Sequence, residues 1–508
     1  MKSPKNPYKI YPIQPQNWRK LLRFKLNKSK IAHKLFSPNN FINAQLRDFL
    51  IGRLWIREHT PFQQKTIEQH IQMGHIQTIP GVQPISTTNK LFSKNNWRCN
   101  RCRNEDPEFF ASFNCAKCQQ VCVYCRHCIN MGRVSSCTEL IKWIGPPRKI
   151  QLPYGKRPNL SHLFQWNGTF TPQQKKASEE LVESIKKNQY HLVHAVCGAG
   201  KTEILFPAIA ECLMQNKRVC VATPRTDVVL ELAPRIQKVF PNTFVQALYG
   251  GATVEHRYSP LIIATTHQLY RFEEAFDVVI VDEADAFPYT FDETLQQAVQ
   301  KAKKPDSPIL FVTATPSDEL KDKVKKLKGG YSFIPRRYHT HPLPVPRFDT
   351  LFNYQKQIAK GKIPRKLLEW TTTRLKNDEP FLIFFPTIEL MEKAVPLFQK
   401  LHLKIEAVHA EDSNRKEKVL ALRKKSVPGL LTTTILERGI TIPKVQVAVV
   451  GAESGIFTSS ALIQIGGRVG RSADHPTGDL VFFHHGITHE MDDARKEIIR
   501  LNNMEVLS

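Results

Sequence analysis

Six residues, Cys197-Gly-Ala-Gly-Lys-Thr202, set two glycines, a lysine and a hydroxyl side by side. Glycines let backbone N–H groups approach an anion, Lys201 brings a mobile positive charge, and the Thr202 hydroxyl suits a hard divalent cation. That is equipment for holding a polyphosphate, with Gly198, Ala199 and Gly200 forming the cradle. Further on, Asp282-Glu-Ala-Asp285 groups three carboxylates. Asp282 can hold magnesium and Glu283 can polarise an attacking water. In Gln464-Ile-Gly-Gly-Arg-Val-Gly-Arg471, Arg468 and Arg471 are spaced to place two guanidinium groups on a triphosphate. A different chemistry is announced by cysteine: eight of 11 lie between residues 99 and 137.

Each group needs an element to aim it. The glycine loop follows the apolar run 191–196 and precedes a good helix former, 203–214, so a helix N-terminus adds its partial positive charge to the cradle. Its one departure from the usual eight-residue phosphate-loop pattern is Ala195 in place of the first glycine. The acidic box follows the apolar run 278–281, at the end of a strand where ligands collect. Short apolar runs at 191–196, 219–222, 261–264, 278–281 and 309–312 alternate with polar helical stretches. A second series lies at 381–385, 407–409, 430–433, 447–450 and 480–483. Strands that read as continuous apolar runs between helices predict parallel sheets covered on both faces, hence two α/β domains in tandem. The Pro-rich segment His341-Pro-Leu-Pro-Val-Pro346 is the hinge. The arginine pair belongs to the second domain, so it reaches the phosphates only when the domains close.

The 508 residues carry 73 Lys/Arg against 46 Asp/Glu, a formal charge of +27, which suits a polyanionic partner. Residues 1–98 hold 17 Lys/Arg against only Asp48, Glu58 and Glu68. The expected organisation is a basic, partly helical region (1–98, with apolar spacing of two short helices between 41 and 74), a Cys-rich module (99–137), a linker (138–170) and two motor domains (171–345 and 346–508). No run of about 18 apolar residues and no apolar stretch behind the first residues is present, so neither a membrane span nor a secretory signal is expected.

The ordered motifs resemble the superfamily 2 helicases and translocases, which implies two RecA-like domains. Phe170-Thr-Pro-Gln-Gln174 looks like the adenine-reading segment, with Gln174 the reader. Thr313-Ala-Thr-Pro316 resembles the motif that couples hydrolysis to motion. Ala222-Thr-Pro-Arg-Thr226 and Thr265-Thr-His-Gln268 resemble segments touching a nucleic-acid backbone, and Phe385-Pro-Thr387, Thr432-Thr-Thr-Ile-Leu-Glu-Arg-Gly439 and Gln464–Arg471 resemble the motifs of the second domain. A strand-hauling motor grips phosphates, and the candidates are Arg225, Thr226, Thr266, Thr433 and Thr434. A narrower resemblance covers nearly the whole chain. Together with the cysteine pattern, Asp282-Glu-Ala-Asp-Ala-Phe-Pro288 is similar to the ComFA family of late-competence DNA-uptake ATPases. Members of that family typically have Val where Ala284 stands. The resemblance implies ATP-driven movement of single-stranded DNA beside a membrane uptake channel and other competence proteins. It places the protein in the cytoplasm at the inner membrane face and leaves an oligomer open. The alternative is a replication-restart helicase, whose zinc module usually sits inside the motor rather than before it.

Cys99-x2-Cys102, Cys115-x2-Cys118 and Cys122-x2-Cys125-x2-Cys128, with Cys137, have zinc-ligand spacing, and a module this small needs a metal staple. By the family resemblance the zinc site uses Cys99, Cys102, Cys125 and Cys128. Cys115, Cys118, Cys122 and Cys137 are surplus: a second site, or small buried residues. An iron–sulfur cluster is the rival occupant of the first set.

Overall fold

The computed structural model describes residues 42–85, 96–148, 160–438 and 441–504. The basic segment 1–40 therefore lies outside the described residues. In the first motor lobe, seven parallel strands stand in the order Val245–Leu248, Leu261–Thr265, Val219–Thr223, Val278–Asp282, Ile309–Thr313, His191–Ala195, Gly330–Ile334. The five inner strands are buried along their whole length, as their unbroken apolar runs require. The second lobe has six parallel strands, ordered Arg347–Thr350, Leu480–His484, Gln446–Val450, Phe381–Phe384, Gly429–Thr432, Glu406–Val408. These are two RecA-like sheets in tandem.

Three strands of the motor lobes escaped the sequence reading: Val245–Leu248, Gly330–Ile334 and Arg347–Thr350. All are edge strands with interrupted burial, so their residues alternate or stay polar instead of forming a run.

The amino-terminal region folds around a small antiparallel sheet in which Glu139–Trp143 pairs with both Trp55–Ile56 and Ile76–Pro80. Glu139–Trp143 falls in the stretch expected to be a linker. Its side chains Leu140, Ile141 and Trp143 are buried, and the prolines of this stretch, from Pro146 on, come after it. Both expected helices form, Ala44–Leu50 and Gln64–Gln72.

This region is joined to the first lobe by partly buried polar contacts. Leu54 N–H donates to the Arg271 carbonyl (2.7 Å) and the Arg218 guanidinium to the Ile51 carbonyl (2.9 Å). Glu273 pairs with both Arg103 (2.8 Å) and Lys142 (3.2 Å).

Candidate functional site

Parallel strands point their carboxyl ends the same way, so the loops after 191–195, 278–282 and 309–313 converge on one edge. There the glycine loop turns with Gly198 at φ +83° and Gly200 at φ +73°, values a side chain would resist. At Gly200 a Cβ would also sit 2.4 Å from Gln174 Nε2. Gln174 is buried on a capping box: its Oε1 accepts from Thr171 N–H (2.9 Å) and its Nε2 donates to the Ala199 carbonyl (2.8 Å). The segment expected to read a base thus also braces the phosphate loop.

A cleft of about 730 Å³ is lined by Gln174, Gly198, Gly200, Lys201, Thr202, Asp282 and Glu283 from the first lobe and by Arg468 and Arg471 from the second. The structure therefore brings together every sequence-expected phosphate-site residue except Ala199, which is buried just beneath. Arg468 is fixed on the Glu437 carbonyl, with Nη2 at 2.6 Å and Nε at 2.9 Å. Burial and the neighbouring Arg471 charge bring its pKa down to about 10. Burial, aided by the Glu283 charge, pushes Asp282 up to about 7, with Lys201 acting the other way.

The sequence reading missed the residue that ties the lobes at the acidic box. Arg438, 3% exposed, reaches from the second lobe to Glu283 Oε2 (2.7 Å) and Asp285 Oδ2 (2.7 Å). Asp285 also accepts from the hydroxyls of Thr313 and Thr315, and Thr315 Oγ1 meets Ser460 Oγ across the seam (2.6 Å). Burial would raise the carboxyls of Glu283 and Asp285, but the Arg438 charge outweighs it and holds both below their usual range. Arg438 lay inside a quoted motif, and its burial was the only missing signal. Arg337 was also missed. Its fully buried guanidinium donates to the carbonyls of Gly470 (2.6 Å) and Val469 (2.8 Å), while Tyr338 N–H donates to Gly198 (3.0 Å). Two consecutive residues thus join the phosphate loop to the arginine turn. Cys197, at the start of the glycine loop, is buried and donates across the seam to Gln464 Oε1 (2.9 Å).

On the other side of the seam lies a second cleft, about 1240 Å³, lined by Arg225, Asp285, Phe287, Phe291, Thr434, Arg438, Lys496 and Arg500, among others. Of the five expected strand contacts it gathers Arg225 and Thr434; Thr226 and Thr433 are half-buried. Arg225 spends part of its charge internally, 3.7 Å from Glu437 Oε1. Thr266 is a correction: it is 0% exposed at the start of the Thr266–Arg271 turn, so its hydroxyl cannot reach a strand in this arrangement. Phe287 and Phe291, 73% and 81% exposed, were missed because a pair of phenylalanines after an acidic box reads as core.

Cys99, Cys102, Cys125 and Cys128 are all buried, their sulfurs within 4.8 Å of one another. The Cys99–Cys128 and Cys102–Cys125 separations are 3.8 and 3.7 Å. A tetrahedron with metal–sulfur bonds of about 2.3 Å has edges of about 3.8 Å, so the set fits one zinc-sized ion. Arg101 donates to Cys128 Sγ through Nη2 (3.0 Å) and Nε (3.3 Å). Hydrogen bonds from the other three thiols, helped by that guanidinium, hold the Cys128 thiol far down. His127, between the last two ligands, stands 3.6 Å from Asp292, the cap of the helix Glu293–Ala302 that follows Phe291.

Residues 34–142 match the competence protein ComFA N-terminal domain family. Residues 167–318 match the family named for the res subunit of type III restriction enzymes, and 360–473 the helicase conserved C-terminal domain. Competence protein ComFA of Bacillus subtilis is 43% identical over 471 residues, covering 92% of this chain and 97% of that protein. The chain belongs to the ComFA family. Its two lobes are a helicase-type ATPase core that binds nucleic acid, and the N-terminal family domain runs through both the helices before the cysteines and the sheet strand after them. The replication restart protein PriA of Bacillus subtilis is similar at 21% identity over 208 residues, 38% of this chain and 25% of that one, so the replication-restart alternative is not favoured. Among solved structures, Mss116p bound to single-stranded RNA and AMP-PNP shares the fold at TM-score 0.50 and 17% identity, over 66% of this chain and 78% of that one. Among the described residues no helix is long and apolar enough to cross a membrane.

Proposed function

We propose that the protein is a single-stranded-DNA-stimulated ATPase that draws transforming DNA through a membrane uptake channel, working with other competence proteins at the inner face of the membrane. The observation that carries this is the cleft in which Lys201, Asp282 and Glu283 of one lobe face Arg468 and Arg471 of the other. ATP is the substrate. Thr202 and Asp282 would hold magnesium, which supplies charge neutralisation at the phosphates. Glu283 orients the water, while Arg468 and Arg471 stabilise charge on the transferred phosphoryl group. Because those arginines travel with the second lobe, hydrolysis and lobe movement are one event.

The strand lies along the second cleft. Arg225, Thr226, Thr433 and Thr434 grip its phosphates, and Phe287 and Phe291 offer faces to its bases. Zinc in the Cys99, Cys102, Cys125, Cys128 site is structural, since four thiolates leave no open position. It supports His127 beside Asp292, and so the loop that carries the two phenylalanines.

The test is ATP turnover with single-stranded DNA, with duplex and with none. Stimulation by single strands, lost in Lys201→Ala, is expected; equal rates in all three conditions would overturn the reading.

A further inference from the structure

The first cysteine set satisfies what the family requires and leaves four cysteines over. Those four are not scattered. Cys115, Cys118, Cys122 and Cys137 bring their sulfurs within 4.8 Å of one another, with Cys118–Cys122 at 3.3 Å and Cys115–Cys137 at 3.6 Å. We infer that this cluster is a second structural zinc site.

Two independent features of the backbone support it. The first is a repeated turn. In the first cluster Cys99 N–H donates to the carbonyl of Asn104 (3.0 Å), Arg103 N–H donates back to Cys99 (2.8 Å), and Arg103 sits at φ +67°. In the second, Cys115 N–H donates to Gln120 (2.9 Å), Gln119 N–H donates back to Cys115 (2.9 Å), and Gln119 sits at φ +56°. Both turns place two thiols three residues apart at the same bend, which is how a C-x2-C pair presents two sulfurs to one ion. Neither Arg103 nor Gln119 is a glycine, so both turns hold a side chain in the left-handed region, and both do so beside a cysteine cluster.

The second feature is the lack of any other core. From residue 105 to residue 133 the only buried side chains are Cys115, Cys122, Cys125 and Cys128, two from each cluster. The hairpin Phe110–Asn114 with Val121–Cys125 leaves Val121 59% exposed, and besides its cysteines only Phe110 and Val123 pack against the core, both partly buried. A two-stranded ribbon with so little covered apolar surface is marginal in water. Its strand Val121–Cys125 carries one ligand of each cluster, Cys122 and Cys125, three residues apart and hence on opposite faces. The strand is a beam between two ions. The far ion also fastens Cys137, whose turn donates Ser136 N–H back to Val123 (2.8 Å) and leads into Glu139–Trp143. One ion alone would leave the tip of the hairpin, 113–122, unsecured.

The sulfurs stand too close together to enclose several irons, so the occupant is a single ion, and four thiolates favour zinc. The two sites differ in depth. All four ligands of the first are buried, whereas Cys118 and Cys137 are half-exposed, so the second ion should exchange faster.

The test is metal stoichiometry of the full chain, isolated under reducing conditions without added chelator, by elemental analysis and native mass. Two zinc ions per chain are expected, falling to one in the Cys118→Ser, Cys137→Ser double variant, with amide exchange across 110–122 at least tenfold faster. A chelating dye added to the unmodified chain should withdraw zinc in two phases of equal size, which keeps the test independent of how the variant folds. One ion in the unmodified chain, retained in the double variant, would overturn the second site and leave the first intact. A mass lower by two disulfides, or iron in place of zinc, would also overturn it. No metal at all would sink both sites without touching the motor reading.

Discussion

The two clefts along the seam draw on both lobes and yet are built from different materials. The smaller is a bed of fixed charges, with Lys201, Asp282, Arg468 and Arg471 around two glycines whose backbone admits no side chain. The larger combines two bare aromatic rings with long cations, half-buried Lys321 and exposed Lys496 and Arg500, balanced in part by Asp493 and Glu497. The first suits a small, highly charged ligand held in one pose; the second suits a chain that slides. Their common wall is the acidic box. Asp282 and Glu283 line the smaller cleft, Asp285 lines the larger, and Arg438 grips Glu283 and Asp285 together. A change at one cleft therefore reaches the other through the acidic box and the guanidinium that grips it.

The comparison breaks most visibly if the clefts are not chemically distinct. Lys201→Ala should lower ATP turnover roughly a thousandfold or more, since a transition-state cation is lost from a dry site. DNA affinity measured without nucleotide should stay within about twofold, because Lys201 lines only the smaller cleft. Equal damage to both would merge the clefts into one site.

Arg438→Gln examines the wall. Two buried carboxylates lose their cation, which costs on the order of 3–5 kcal/mol where nothing relaxes. The expected outcome is a lower melting temperature and a kcat reduced about a hundredfold, with the KM for ATP nearly unchanged. An unaltered kcat would mean that the two clefts are not coupled here.

Phe291→Ala, alone and with Phe287→Ala, sharpens the account of the larger cleft. Stacking on an aromatic ring is worth about 1–3 kcal/mol per base, so single-strand affinity should fall roughly five- to a hundredfold. The dependence on salt should keep its slope, because no cation is removed. A changed slope with little loss of affinity would show that the rings only shape the loop.

How much of this was legible beforehand follows the same division. The lining of the smaller cleft was readable almost residue by residue, because a glycine loop, an acidic strand end and an arginine pair each occupy a few consecutive positions. Inner strands were readable because burial on both faces writes a continuous apolar run, as in 278–282. The larger cleft was not. Thr266 looked like a contact from its motif, but the Thr266–Arg271 turn buries it, and no sequence pattern distinguishes that outcome. Arg337 and Arg438 act by reaching across the seam, which depends on how the lobes meet. Glu139–Trp143 was hidden because its partners are more than 50 residues upstream.

The last expected effect, spread over pH rather than tied to one site, concerns the strand shared by both clefts. His191 and His194 lie on His191–Ala195, which runs into the phosphate loop, and His194 also lines the larger cleft. Both are buried and hydrogen-bonded as neutral rings: His191 between Ser184 and Ser332, His194 between Tyr331 and the Ala314 carbonyl. Burial lowers each to about 4. A histidine depressed in the folded state contributes stability that is fully present above its unfolded value of 6.5 and is lost as pH falls toward its folded value. Acidification from pH 7 to 4 should therefore remove up to about 3 kcal/mol per ring from the first lobe. Denaturant midpoints followed across that range should fall mainly below pH 6.5, and His194→Gln should flatten the decline. Between pH 7 and 6.5 almost nothing should change. A steep loss already in that upper interval would show that the shared strand is not its source; Asp282, pushed up to about 7, would add stability there as it takes up its proton.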